Sequence, residues 1–369
     1  MDSLYLSYAG SLTENYETQL ECLKALAQSQ EGTDQADAYL FLADHSFAVR
    51  GKGRGRFPFL LVDNWYQLQL SRRKAERLPL AYAQVASELL TFCGVDGAVG
   101  PLTNIVSIFA GQVIHPTVSR VDLCVDFTTD LDLEAIPQNH WISRANNFAR
   151  YYVQNRFSGY TFGQGGPISC RLYDKTLEIE KSQKTFLYPL WAAQGWDGES
   201  PVWRLEFQFQ REVLGECAIR TVPELKQALN PLWTYATHQW LQLKYPQGDS
   251  NQSRWPVYPE WQSLLGAEFN DSARESVLRV RKDTAPSDRY LFVNGLGGLT
   301  SFMAREGIQS IDEALETYLV KAHEYHRQQS QRTGKTLPTY VREKVEQKRT
   351  RYAARKATES REQRERGRS

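Results

Sequence analysis

The stretch Ser119-Arg-Val-Asp-Leu-Cys-Val-Asp-Phe127 decides the fold. Its side chains alternate without a break, Val121, Leu123, Val125 and Phe127 on one side, Arg120, Asp122, Cys124 and Asp126 on the other. A period of two residues belongs to a β-strand with one face in a core and the other turned out. Residues 201–212 repeat the pattern, with Trp203, Leu205, Phe207 and Phe209 opposite Arg204, Glu206, Gln208 and Gln210. A third run, Cys170-Arg-Leu-Tyr-Asp-Lys-Thr-Leu-Glu178, puts Arg171, Tyr173 and Lys175 on one face before the pattern turns helical over residues 174–182. Gly159, Gly163, Gly165, Gly166 and Pro167 mark residues 157–173 as a hairpin with this run as its second arm. Together the three strands predict an α+β fold, an antiparallel sheet with helices on its apolar face and a helical C-terminal region.

Outward from these strands, residues 3–8 read as a short strand and 13–28 as a helix that Ser11 or Thr13 can cap. Residues 39–50 and 57–71 read as two extended segments joined by Gly51-Lys-Gly-Arg-Gly-Arg56. That tip carries Lys52, Arg54 and Arg56, and its glycines would let backbone approach phosphate; it also reads as a plain soluble hairpin tip. Helices are expected over 80–93 and 139–152, an apolar element over 102–109, and a helix over 222–241 kinked at Pro231. Residues 246–260, rich in Pro, Ser, Gln and Asn, read as a linker, and 278–293 as mixed. Ser310-Ile-Asp-Glu313 is a capping box for a helix to about residue 331, followed by a charged, helix-prone stretch over 339–366. The expected organisation is an N-terminal extension of the core (1–56), a main domain that holds the three motif strands (57–245), a mixed or helical region (246–335) and a basic tail (336–369).

Composition narrows the function classes. An apolar content of 41% and an aromatic content of 12% support a packed core. No apolar run approaches the ~18 residues of a membrane span, and the N-terminus lacks the pattern of a signal peptide. Five scattered cysteines without a Cys-x-x-Cys pair fit a reducing cytoplasm. Six histidines form no His-x-His, so a histidine-built metal site is not expected. The net charge of +1 conceals an asymmetry: from Lys321 onward 15 Lys and Arg stand against 6 Asp and Glu, leaving the rest at −8. A basic tail on an acidic body points to an anionic partner such as nucleic acid.

The polar faces carry the chemistry. Merged in one sheet they form a patch of Arg120, Asp122, Asp126, Arg171, Tyr173, Lys175, Arg204 and Glu206. Tyr173 between two cations is placed to attack a phosphate, the cations lowering its pKa and holding phosphate oxygens. The carboxylates suit a hard cation such as Mg2+ or Mn2+, which prefers oxygen ligands. Charged strand faces also arise as simple cross-strand ion pairs worth about 0.2–1 kcal/mol each; the coincidence of three with one tyrosine favours a site.

The ordered set Arg120 to Asp126, the Gly163 hairpin leading to Arg171-Leu-Tyr-Asp-Lys175 with Glu178, and Trp203 to Gln210 resembles the replication initiation factor family over about residues 57–215. This family groups rolling-circle plasmid replication initiators with relaxases of integrative and conjugative elements. The resemblance implies site-specific nicking and closing of DNA through a tyrosine–5′-phosphate link, with acidic metal ligands in place of a histidine pair. Carried over, Tyr173 is the nucleophile, with Arg171 and Lys175 beside it. Asp122, Asp126 and Glu206 are metal-ligand candidates, and Arg171, Lys175 and Arg204 contact phosphate; Arg120, on the same polar face, is expected to bind DNA. Tyr160, on the other arm of the hairpin, competes as nucleophile. The resemblance also implies a homodimer; host helicase and polymerase follow as expected partners. A DNA-binding accessory protein without chemistry is the alternative reading.

Overall fold

The computed structural model describes residues 1–249, 251–269, 288–333, 336–346 and 349. The chain divides into two compact units, Met1–Arg279 and Val280–Ser369. The first opens with β1 (Ser3–Tyr8), α1 (Glu14–Ala27), α2 (Gly32–Ala36), β2 (Tyr39–Leu42), β3 (His45–Val49), β4 (Phe59–Val62) and β5 (Tyr66–Leu70). Next come β6 (Ala81–Val85), α3 (Ser87–Ala110), β7 (Pro116–Phe127), β8 (Trp141–Ser143), β9 (Phe148–Val153), β10 (Arg156–Phe162) and β11 (Ile168–Asp174). It closes with α4 (Lys175–Ser182), α5 (Leu187–Ala193), β12 (Trp203–Gln210), α6 (Arg211–Glu216), α7 (Val222–Gln227), α8 (Leu229–Tyr235), β13 (Leu241–Leu243) and α9 (Pro259–Leu265).

An eleven-stranded sheet runs in the order β2-β3-β4-β5-β6-β1-β7-β12-β11-β10-β9. Its pairings are antiparallel throughout. The three motif strands β7, β12 and β11 are therefore neighbours, and β1 at the N-terminus lies against β7 in the middle of the sheet. Val121, Leu123, Leu205, Phe207 and Phe209 are fully buried on the apolar face. Helices cover that face: Phe207 meets the rings of Trp233 and Trp240 edge-on at 5.5 and 6.1 Å. The expected α+β architecture is the observed one.

Several local expectations are overturned, each by tertiary pairing. Residues 39–50 are two strands, not one, because Ala43 and Asp44 turn with φ of 49° and 65°. This left-handed pair suits a tight hairpin, and without a glycine it leaves no sequence signal. Residues 57–71 likewise hold β4 and β5, with the Asp63 carboxylate accepting from the backbone N–H of Trp65 and Tyr66 at 2.8 and 2.6 Å in the turn. The helix expected over 80–93 is strand β6 followed by the start of α3. Ala81, Ala83 and Val85 alternate into the core between β5 and β1, where strand pairing outweighs alanine's helix preference. The helix expected over 139–152 is β8 and β9, and Phe148 lies 5.4 and 5.1 Å from the rings of Tyr160 and Phe162.

Pro231 sits in the first turn of α8, where no helical N–H bond is lost; the helical region breaks instead at Ala228. Residues 246–260 are not a bare linker: Tyr258, with Trp261 and Leu264 just beyond, is buried in the main core. Helix α3, with 24 residues, is long and apolar enough to cross a membrane, against the sequence expectation. It is broken at Gly94, and Leu102, Ile105, Val106 and Phe109 pack into the core.

The second unit contains α10 (Asp288–Glu306) and α11 (Ile311–Thr333), joined through the rings of Phe302 and Tyr318 at 5.2 Å. Ser310 caps α11 as expected, accepting from Glu313 N–H at 3.5 Å. Residues 337–346 are helical, while residues 278–287 and most of the basic tail lie outside the described residues.

Candidate active site

Strand register builds the site row by row. Across β7, β12 and β11, Asp126 faces Arg204, which faces Tyr173, and Glu206 faces Arg171. These side chains, with Arg120 and Asp122, share the polar face. Tyr173 is the next-to-last residue of β11, and Asp174, which ends it, fixes the strand-to-helix junction as N-cap of α4, accepting from Leu177 N–H at 3.0 Å and from Arg156 at 2.7 Å. Opposite Tyr173 on β10 stands Gly159 with φ of 145°. A Cβ there would meet the Leu172 carbonyl oxygen at 2.1 Å and Tyr173 Cα at 2.7 Å, so the closeness of the two strands requires glycine.

A cleft of about 870 Å3 opens over this face, lined among others by Asp2, Arg120, Asp122, Arg171, Tyr173 and Lys175. Glu206, 1% exposed, lies below it. The Tyr173 hydroxyl donates to Glu206 Oε2 at 3.0 Å, and Arg171 pairs with Oε1. Arg171 Cζ and Lys175 Nζ stand 5.7 and 5.6 Å from the centre of the Tyr173 ring, the two-cation setting expected from the sequence. The expected fall in the phenol's pKa is reversed. Burial, with the Glu206 charge adding, pushes it well above its ordinary value, and Arg204 and Arg171 offset only part of this.

Arg120 grips Asp122 with two hydrogen bonds of 2.8 and 2.5 Å. Burial still raises the Asp122 carboxyl to about 6, with Glu206 contributing. Lys175 is fully buried and paired with Glu178; burial, then the nearby Arg204 charge, lowers the pKa of its ammonium.

Arg204 and Asp126 are placed otherwise than the carried-over roles require. Arg204 is buried, holding Asp126 at 2.6 and 2.7 Å and Asp2 at 2.5 Å, so it braces β12 to β7 and β1 beneath the cleft. Asp126 also accepts from Trp191 Nε1 at 2.9 Å. It is thereby held apart from Asp122 and Glu206, each of which carries its own guanidinium. Among the described residues no group of three or more His, Cys, Asp and Glu side chains is arranged to hold a metal ion, so the residues as placed do not fit a three-carboxylate Mg2+ or Mn2+ site.

Sequence reading missed Asp2, Lys181 and Lys184, which also line the cleft. Burial disfavours the Asp2 charge, but Arg204, Lys184 and Lys175 outweigh it and hold its pKa below the usual range. Lys181 follows Glu178 by one helical turn, the available signal; Asp2 has none, because its role depends on β1 lying beside β7. Tyr160 is buried on the opposite face, donating to the Leu133 carbonyl at 2.5 Å among Trp141, Phe148 and Phe157. Lys52, Arg54 and Arg56 are exposed on the tip between β3 and β4.

No family model matches the chain, and no curated protein matches it. Among solved structures it is similar to the rolling circle replication initiator protein from Geobacillus stearothermophilus, at 13% identity and a TM-score of 0.41, covering 76% of this chain and 98% of that one.

Proposed function

We propose that the protein nicks one DNA strand at a specific site and transfers it, initiating rolling-circle replication or mobilisation, with Tyr173 as nucleophile. The hydrogen bond from the Tyr173 hydroxyl to Glu206, beneath a cleft in which Arg120, Arg171, Lys175, Lys181 and Lys184 alternate with Asp2, Asp122, Asp174, Glu178 and Glu180, carries this reading. A phenol held above its ordinary pKa stays protonated near neutrality, so attack on phosphorus needs a base in contact with it. Glu206 takes the proton as the phenolic oxygen bonds to phosphorus. The bond from phosphorus to the 3′-oxygen then breaks. Lys175, its pKa lowered by burial, supplies the proton to that oxygen. A 5′-phosphotyrosine and a free 3′-hydroxyl result, the latter a primer for a host polymerase. Arg171 sheds part of its hold on Glu206 to meet the charge that develops on the phosphoryl oxygens.

The resemblance implies Mg2+ or Mn2+, but the three expected ligands are not brought together, so these steps belong to the chain's own groups. The test is a denaturation-resistant adduct with a labelled single-stranded oligonucleotide from DNA neighbouring the gene. Wild type should form it, and Tyr173→Phe should bind the oligonucleotide but form none. A wild type that binds DNA without an adduct would establish the accessory-protein reading instead.

A further inference from the structure

The cleft does not end at the nucleophile. Three same-face steps along β7, roughly 20 Å at strand spacing, lead from the Asp126–Arg204–Tyr173 row to the row Gln84–Tyr5–Arg120. Tyr5, Gln84 and Arg120 line the same cleft as Tyr173 and Lys175. There the surface changes character. The Tyr5 and Tyr82 rings lie 5.9 Å apart, and Phe57 stacks beside Tyr82 at 6.4 Å with 28° between planes. All three are half-buried, so each ring is held by the sheet or its loop yet remains accessible. Arg120 Cζ sits 4.6 Å from the Tyr5 ring centre. The exposed Arg54, held in the tip by its bridge to Phe57, lies close enough for its charge to act on Tyr5 and Tyr82.

We propose that Tyr5, Tyr82 and Phe57, with Arg120 and Arg54, form a platform that stacks unpaired bases of single-stranded DNA leading to or from Tyr173. This rests on the nicking reading and deepens it by assigning a path to the strand. Aromatic faces interleaved with guanidinium groups match a strand whose bases are unstacked and whose phosphates run alongside. A duplex hides its base faces and would meet only the cations, and an acidic peptide would leave the rings unused. Burial raises the pKa of both tyrosines, so the rings stay neutral beside the phosphates.

The test is fluorescence anisotropy with the full chain, labelled oligo-dT, an abasic strand of equal length and a duplex. Tyr82→Ala should weaken oligo-dT binding about tenfold or more, Tyr82→Phe should restore it, and the variants should bind the abasic strand and duplex as wild type does. Unchanged oligo-dT binding in Tyr82→Ala, or equal losses on all three ligands, would overturn the platform even if wild type forms the covalent adduct. Ring-dependent oligo-dT binding by a wild type that forms no adduct would support the platform and count against the nicking reading alone.

Discussion

Tyr160 and Tyr173 lie on adjacent strands of one hairpin, and the sheet sends them to opposite faces. Tyr160 faces Leu172 across the pair and enters an aromatic core, its hydroxyl spent on the Leu133 carbonyl. Tyr173 faces Gly159 and Arg204 and reaches a buried carboxylate under a cleft. The residue type, the hairpin and the burial-raised phenol pKa are common to both. What differs is parity along the strand, which decides whether a phenol meets a backbone acceptor or a base.

The contrast can be sharpened by removing what Tyr173 has and Tyr160 lacks. Glu206→Gln should lower the adduct-formation rate about 100- to 10,000-fold, the range for loss of a general base, with oligonucleotide binding retained. Rapid-quench measurement of the adduct checks this, and a loss under tenfold would remove Glu206 from the reaction.

The carboxylate beside Glu206 gives a pH signature. Asp122 is raised in the folded state to about 6, so the fold binds its proton more tightly than the unfolded chain does. Its effect on stability is therefore absent below pH 3.8 and becomes unfavourable as pH rises through 4 to 6. Relative to wild type, Asp122→Asn should gain stability over that window by at most about 3 kcal/mol, read by denaturant unfolding at several pH values. A flat difference across the window would contradict the burial argument.

Gly159→Ala forces a Cβ into the Leu172 carbonyl and should cost about 1–3 kcal/mol. It should also slow adduct formation, since Tyr173 lies on the strand that must move. Tyr160→Phe is the smallest change: it removes the phenol's bond to the Leu133 carbonyl, which keeps the Ile136 N–H at 3.4 Å, costs about 1 kcal/mol and should leave the adduct rate unchanged.

Much of this fold is legible before folding wherever one strand face is buried and the other is not. Residues 119–127 and 203–210 write both faces in their own alternation, and strand register then sets Asp126 opposite Arg204 and Glu206 opposite Arg171. Residues 81–85, 141–143 and 148–153 carry no strand signal of their own because their identity as strands comes from neighbours: β5 and β1 for the first, β13 for the second and β10 for the third. The site was legible as a set of residues on one face, but not as a set of pairs. Which carboxylate each guanidinium takes depends on cross-strand register and on Asp2, which no local pattern connects to Arg204. That choice separates Asp126 from the other two carboxylates and places Glu206 against Tyr173.

The most direct measurement is the identity of the DNA-linked residue. Wild-type adduct, formed on a labelled single-stranded oligonucleotide, is digested and the nucleotide-bearing peptide sequenced by mass spectrometry. The nucleotide should reside on Tyr173; a nucleotide on Tyr160, or on any other side chain, would contradict the account.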